Sequence, residues 1–214
     1  MVSAPFLSTK VMKSISSQIA ERVSYESDLL PPGAPAGLGE SLRVAMLTED
    51  QIRSGTGPLA SRVTETGQWH HQVYVGGVAA VFARSVEEPG APGEPYKVVE
   101  VADAEVAGEL HKTIAWVDAN VSVEAEAEVL VAPSHLLTGL WLKGKGVDAV
   151  VISSGPALSG GIKPNQLISG EQFLDALART PAIVGLGLPV EISEPHRAPS
   201  SDSRGASGAA ESES

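Results

Sequence analysis

Two apolar runs joined by a pair of glycines constrain this chain more than any other feature. They read Trp69-His70-His71-Gln72-Val73-Tyr74-Val75, then Gly76-Gly77, then Val78-Ala79-Ala80-Val81-Phe82-Ala83-Arg84. A two-residue hairpin turn needs positive φ at its centre, and glycine supplies it without a Cβ clash. The segment is predicted as strand, tight turn, strand. Any fold for the chain has to grow around that antiparallel pair.

A second run, Val121 to Ala132, alternates with a period of two. Val123, Ala125, Ala127, Val129 and Val131 face one way, and Glu124, Glu126 and Glu128 the other. That spacing predicts a half-buried antiparallel strand with an acidic, solvated face. Such a flat face does not converge its oxygens on a cation. Pro133 interrupts the ladder. His135 to Lys143 and Val147 to Ser153, joined by Gly144-Lys145-Gly146, supply two more strands, and the three form a meander. The alternation of Leu42, Val44 and Met46 suits a strand over Leu42 to Leu47, a helix through Gln51 and Ile52 fits nearly as well, and Ala182 to Val190 reads as a short final strand.

Helical spacing runs through Met12, Ile15, Ile19 and Val23, and again through Val106, Leu110, Ile114 and Val117 of a helix starting near Asp103. Ser169 with Gln172 three positions later matches a capping box, which opens a last helix with Phe173, Leu174 and Leu177 inward. The expected class is α+β: a mostly antiparallel sheet, hairpin plus three-strand meander, packed with two or three helices. The expected organisation is an amphipathic, separable N-terminal helix over 1–30, a Pro/Gly linker over 31–40 and one α+β domain over 41–190. A disordered acidic tail is expected over 191–214, where almost no large apolar residue is available to offset ordering entropy.

Composition excludes whole classes of function. The 214 residues carry a formal net charge of -11 and no cysteine. Disulfide scaffolds, thiol catalysis and Cys-liganded zinc are ruled out, and a nucleic-acid partner would need a positive face that this balance does not provide. No targeting or membrane segment is visible, so a cytoplasmic protein is expected. The composition, rich in Ala, Gly, Val and Pro and poor in Lys, resembles that of proteins from high-GC bacterial genomes. With only nine aromatic residues, Trp69, Trp116 and Trp141 are expected to anchor a core layer or an interface.

Candidate chemistry is sparse. His70 and His71 are adjacent on a strand and point to opposite faces. No metal-ligand spacing joins the histidines, and neither a metal nor a cofactor is expected. Pro133-Ser134-His135 places Ser beside His without a nucleophile elbow. The loop Gly155 to Lys163 lacks the Gly-Lys-Ser/Thr step into a helix that a phosphate loop needs.

Three functional expectations follow. The first is a non-catalytic accessory or assembly module acting through protein–protein association or self-association, with Met12, Ile15, Ile19, Val23 and Trp69 as the interaction residues. The second is a small-molecule binder or enzyme with a pocket between sheet and central helix, using His71, His111 or His135 with a carboxylate such as Asp148. The third is an acidic immunity or inhibitor protein that covers a basic partner.

Overall fold

The glycine pair does join two paired strands, β3 (Thr64–Val75) and β4 (Val78–Glu87), matched from Val75↔Val78 back to Gln68↔Val86. This comes from a computed structural model that describes residues 2–25, 36–75, 78–88, 95–102 and 104–183. Gly76 and Gly77, Asp103, and the tail expected over 191–214 lie outside the described residues.

Nine strands and four helices are seen among the described residues. They are β1 (Val2–Ser3), α1 (Thr9–Tyr25), β2 (Ala36–Met46), α2 (Glu49–Ser54), β3, β4, β5 (Tyr96–Ala102), α3 (Ala104–Asn120), β6 (Ala125–Ala132), β7 (Leu137–Gly144), β8 (Val147–Ser154), β9 (Leu167–Ser169) and α4 (Gly170–Arg179). The strands lie in one sheet of order β5-β4-β3-β2-β6-β7-β8-β9, with β1 paired to β6. The fold class is α+β and mostly antiparallel, with four helices where two or three were expected.

The meander is present as β6, β7 and β8, with β7 in the middle. Pro133 does end its strand: Pro133–His135 form a single 3-10 turn, and Leu136 takes a left-handed conformation at φ 49 before β7 begins. The ambiguous run Leu42 to Leu47 belongs largely to β2. A capping box between Thr48 and Gln51 then starts α2, so the helical alternative through Gln51 and Ile52 holds only from Glu49 onward. The linker expected over 31–40 gives way at Ala36, where β2 starts and pairs with Val75. The capping box at Ser169 and Gln172 is formed in both directions and opens α4.

Two parallel pairings hold the sheet together in a way that local sequence does not announce. β2 runs parallel to β6 over Val44↔Val129 to Met46↔Val131, and β1 runs parallel to β6 at Val2↔Ala125. The β2–β6 seam therefore joins two antiparallel halves, β2–β5 and β6–β9. One face carries α1 over the first half and α2 with α4 over the second. On the other face lies α3, which packs on β3, β4, β7 and β8 and so spans both halves.

The alternation in β6 assigns faces correctly but not burial. Glu128 is a correction to the expected solvated strand face: its side chain is 1% exposed. It shares its face with Leu130 and Ala132, which belong to the core under α2 and α4. Both faces of β6 are covered, so an acid on the second face has nowhere to be solvated.

Candidate functional site

The site begins with an irregularity in β3. Arg43 pairs with Trp69, but only two residues later Ala45 pairs with Glu65, so β3 holds two extra residues there. Thr66, Gly67 and Gln68 take up the excess. Gly67 has φ 69, which glycine adopts without strain, and the Thr66 hydroxyl donates to the Val44 carbonyl at 2.7 Å. Such bulges open the ladder and re-aim side chains. This one opens a pocket of about 210 Å³ between the region under α1 and that under α4, lined by Arg43, Glu65, Gly67, Gln68, Trp69, Glu87, Tyr96 and Glu128.

Its lining sets two aromatic rings, Trp69 and Tyr96, among four charged side chains, Arg43, Glu65, Glu87 and Glu128. Trp69 and Tyr96 meet edge to face at 6.2 Å, and the Arg43 guanidinium lies over the Trp69 ring at 5.6 Å. Burial raises the Tyr96 phenol above its ordinary pKa, and the nearby Glu87 adds to this. Glu128 forms the floor. Lys143 Nζ reaches its Oε1 at 2.5 Å, running over the Trp141 ring on the way. The contact is an ion pair by distance, and Oε2 has no donor among the described residues. A buried carboxylate oxygen without a donor costs several times what an ordinary hydrogen bond contributes, so its presence calls for a physical reason.

The opposite face carries a second arrangement. Tyr74 donates its hydroxyl hydrogen to Glu40 Oε2 at 2.7 Å and lies 2.9 Å from His111 Nδ1. The phenol has one hydrogen, so His111 Nδ1–H is the donor in the second bond. Burial, and then the Glu40 carboxylate, push the Tyr74 phenol well above its ordinary pKa. Beside this chain runs a mostly apolar cleft of about 160 Å³ between α3 and the sheet, with Glu40 and Asp118 on it and the N-terminal strap Val2–Ala4 along one side.

The residues singled out from sequence lie in four different places. His71 is fully buried under α1, between Ser41 Oγ and Ser85 Oγ at 2.8 Å each. His111 is on α3 with Tyr74. His135 is buried in the 133–135 turn, where its Nε2 donates to the Thr180 carbonyl at 3.1 Å and its Nδ1 accepts from Ser134 at 3.0 Å, tying down the end of α4. Asp148 accepts from the Trp141 indole at 2.8 Å and from the Leu59 amide at 3.2 Å. His111 reaches a carboxylate, Glu40, through the Tyr74 hydroxyl, and His135 Nδ1 lies 3.9 Å from Glu49 Oε2. Among the described residues no group of three or more His, Cys, Asp or Glu is placed to hold a metal ion.

Of the expected interaction residues, Ile15 and Ile19 are buried against the chain's own sheet together with Trp69, and Met12 is half-buried beside them. The Val23 side chain lies outside the described residues. Sequence reasoning missed Glu128, Lys143 and Arg43. The signal was present: Val129-Leu130-Val131-Ala132 is a continuous apolar run, which marks a strand buried on both faces. No family model matches the chain, and no curated protein matches it.

Proposed function

We propose that the protein binds a small polar molecule in the pocket floored by Glu128, and that it acts as a binding protein rather than as a catalyst. The observation that carries this reading is the buried Oε2 of Glu128, which has no donor among the described residues, on a side chain that belongs to the lining of a pocket shared with Trp69 and Tyr96. A ligand would supply the missing donor. The pocket wall contains no serine or histidine, so a Ser–His nucleophile pair would have to be assembled elsewhere. A cytoplasmic setting without a nucleic-acid partner belongs to the same reading, on the acidic, cysteine-free composition.

The test is whether Glu128 and Lys143 serve the fold or the pocket. Replacing a buried ion pair by apolar groups of similar volume is often neutral or stabilising, by about 1–4 kcal/mol. The double variant Glu128→Leu, Lys143→Met is expected to melt at or above the temperature of the parent chain. A fall of more than about 2 kcal/mol in urea denaturation would make the pair structural and remove the argument for a ligand.

Association with a protein partner is the second reading. Leu136 is exposed in its left-handed turn, and the exposed Ile183 is tied to the same 133–136 segment by the hydrogen bond its N–H donates to the Ser134 carbonyl at 2.8 Å. A sedimentation coefficient that stays constant over the micromolar range would count against its self-association form.

A further inference from the structure

The pocket holds a guanidinium and a carboxylate that are neighbours in register and do not meet. Arg43 and Glu128 each precede a residue of the parallel pair Val44↔Val129, so they occupy one row of adjacent strands on the same face. Opposite charges so placed attract and stabilise a sheet. Here they turn apart. Arg43 lies over Trp69 and makes no ion pair among the described residues, while Glu128 turns to Lys143 and leaves Oε2 without a donor. Both line the pocket of about 210 Å³.

We propose, building on the pocket reading above, that the ligand is a small zwitterion of amino-acid size. Its ammonium group donates to Glu128 Oε2, and its carboxylate takes the planar fork of Arg43, the geometry in which arginine binds carboxylates best. Its carbon skeleton lies against Trp69. An amine alone would leave the exposed guanidinium to solvent and forgo its contact, and a carboxylate alone would leave the buried oxygen without a donor. A molecule bearing both groups satisfies both. At about 210 Å³ the pocket is smaller than the cavities that drug-sized ligands such as nucleotides typically fill.

The experiment titrates the full chain with each of the twenty common L-amino acids, reading tryptophan fluorescence and heat of binding. Any amino acid that binds is followed by its amine lacking the carboxylate and its acid lacking the amine. The expected result is binding in the micromolar to millimolar range by at least one amino acid, with both single-charge analogues weaker by roughly tenfold or more. Arg43→Gln, at an exposed position, is expected to weaken binding by a similar factor with an unchanged melting temperature, and it carries the test if Glu128→Gln does not fold. An amine analogue that binds as tightly as its amino acid overturns the zwitterion and leaves the pocket reading standing. Absence of binding by every amino acid at millimolar concentration also overturns the zwitterion. The pocket reading falls with it only if the double variant Glu128→Leu, Lys143→Met is destabilised as well.

Discussion

His70, His71 and Gln72 are three consecutive polar residues with almost no exposure, so each has to be accommodated by what faces it. His71 is satisfied on both ring nitrogens. Ser41 donates to Met12 Sδ at 3.7 Å, so its oxygen accepts from His71 Nδ1–H, and Nε2 accepts from Ser85. His70 stacks on Phe82 at 4.8 Å, beside Arg84 and its partner Glu100. Burial pushes His71 down to about 4, while burial, then Arg84 and His71, push His70 down to about 3. Unfolded, both rings titrate near 6.5, so between those values the unfolded chain binds the extra protons. Stability from these two groups is therefore complete above about pH 6.5 and is lost as pH falls, through about 4 for His71 and about 3 for His70. Near pH 5 their combined slope approaches two protons, roughly 2.5 kcal/mol per pH unit. Urea denaturation at pH 7, 6 and 5 reads this slope. His70→Phe, which keeps the stacking and removes one titrating group, is expected to lower it by close to one proton. An unchanged slope would mean that His70 is not held neutral in the fold.

At the scale of elements, α1 matters for where it sits on the sheet. It lies along the outer strand β5, and Gln18 makes two bonds to that strand's backbone. Its Nε2 donates to the Tyr96 carbonyl at 3.0 Å, and its Oε1 accepts from the Val98 amide at 2.9 Å. Arg22 Nη1 donates to the Val99 carbonyl at 2.9 Å. A side-chain amide thus takes the place of a neighbouring strand and closes an edge that would otherwise template pairing with another chain. Gln18→Ala is expected to cost about 1–3 kcal/mol in thermal or urea unfolding. It should also produce concentration-dependent dimers or larger species in size-exclusion chromatography with light scattering. A variant that is equally stable and monomeric would show that the edge needs no cover. The apolar spacing of α1 was legible because it is a short-range pattern. Its target was not, because the hydrogen bonds that fix it join residues about eighty positions apart. The same division runs through the chain: the hairpin, the meander and the box at Ser169 are written in neighbouring residues. The bulge at Thr66–Gln68 becomes visible only against the register of β2, so the pocket could not be read before the sheet was.

At the scale of the whole molecule, the sheet's two halves meet along a seam of three parallel residue pairs, Val44 to Met46 with Val129 to Val131, extended by the Leu47 amide on the Val131 carbonyl. Strand alternation locates β2 and β6 in sequence but says nothing of their pairing, since parallel neighbours carry no turn to betray them. What makes the two halves one object is α3. Its apolar side chains Leu110 and Val117 share one buried cluster with Leu42 and Val44 of β2, Val129 of β6, and Leu140 and Val151 of the meander. Truncating a fully buried leucine removes transfer energy and leaves a cavity, about 2–5 kcal/mol together. Because that loss falls on the element common to both halves, Leu110→Ala is expected to weaken them equally. Native-state hydrogen exchange under mild denaturant tests this directly. The slowest amides of β3–β4 and of β6–β7 should share one opening free energy in the parent chain, and both sets should drop by the same amount in the variant. Two separate plateaus, with only one lowered by the substitution, would mean that the seam divides the sheet into independently unfolding halves. The zwitterion site, built from Arg43 and Trp69 on one side of the seam and Glu128 on the other, would then assemble only when both halves are folded.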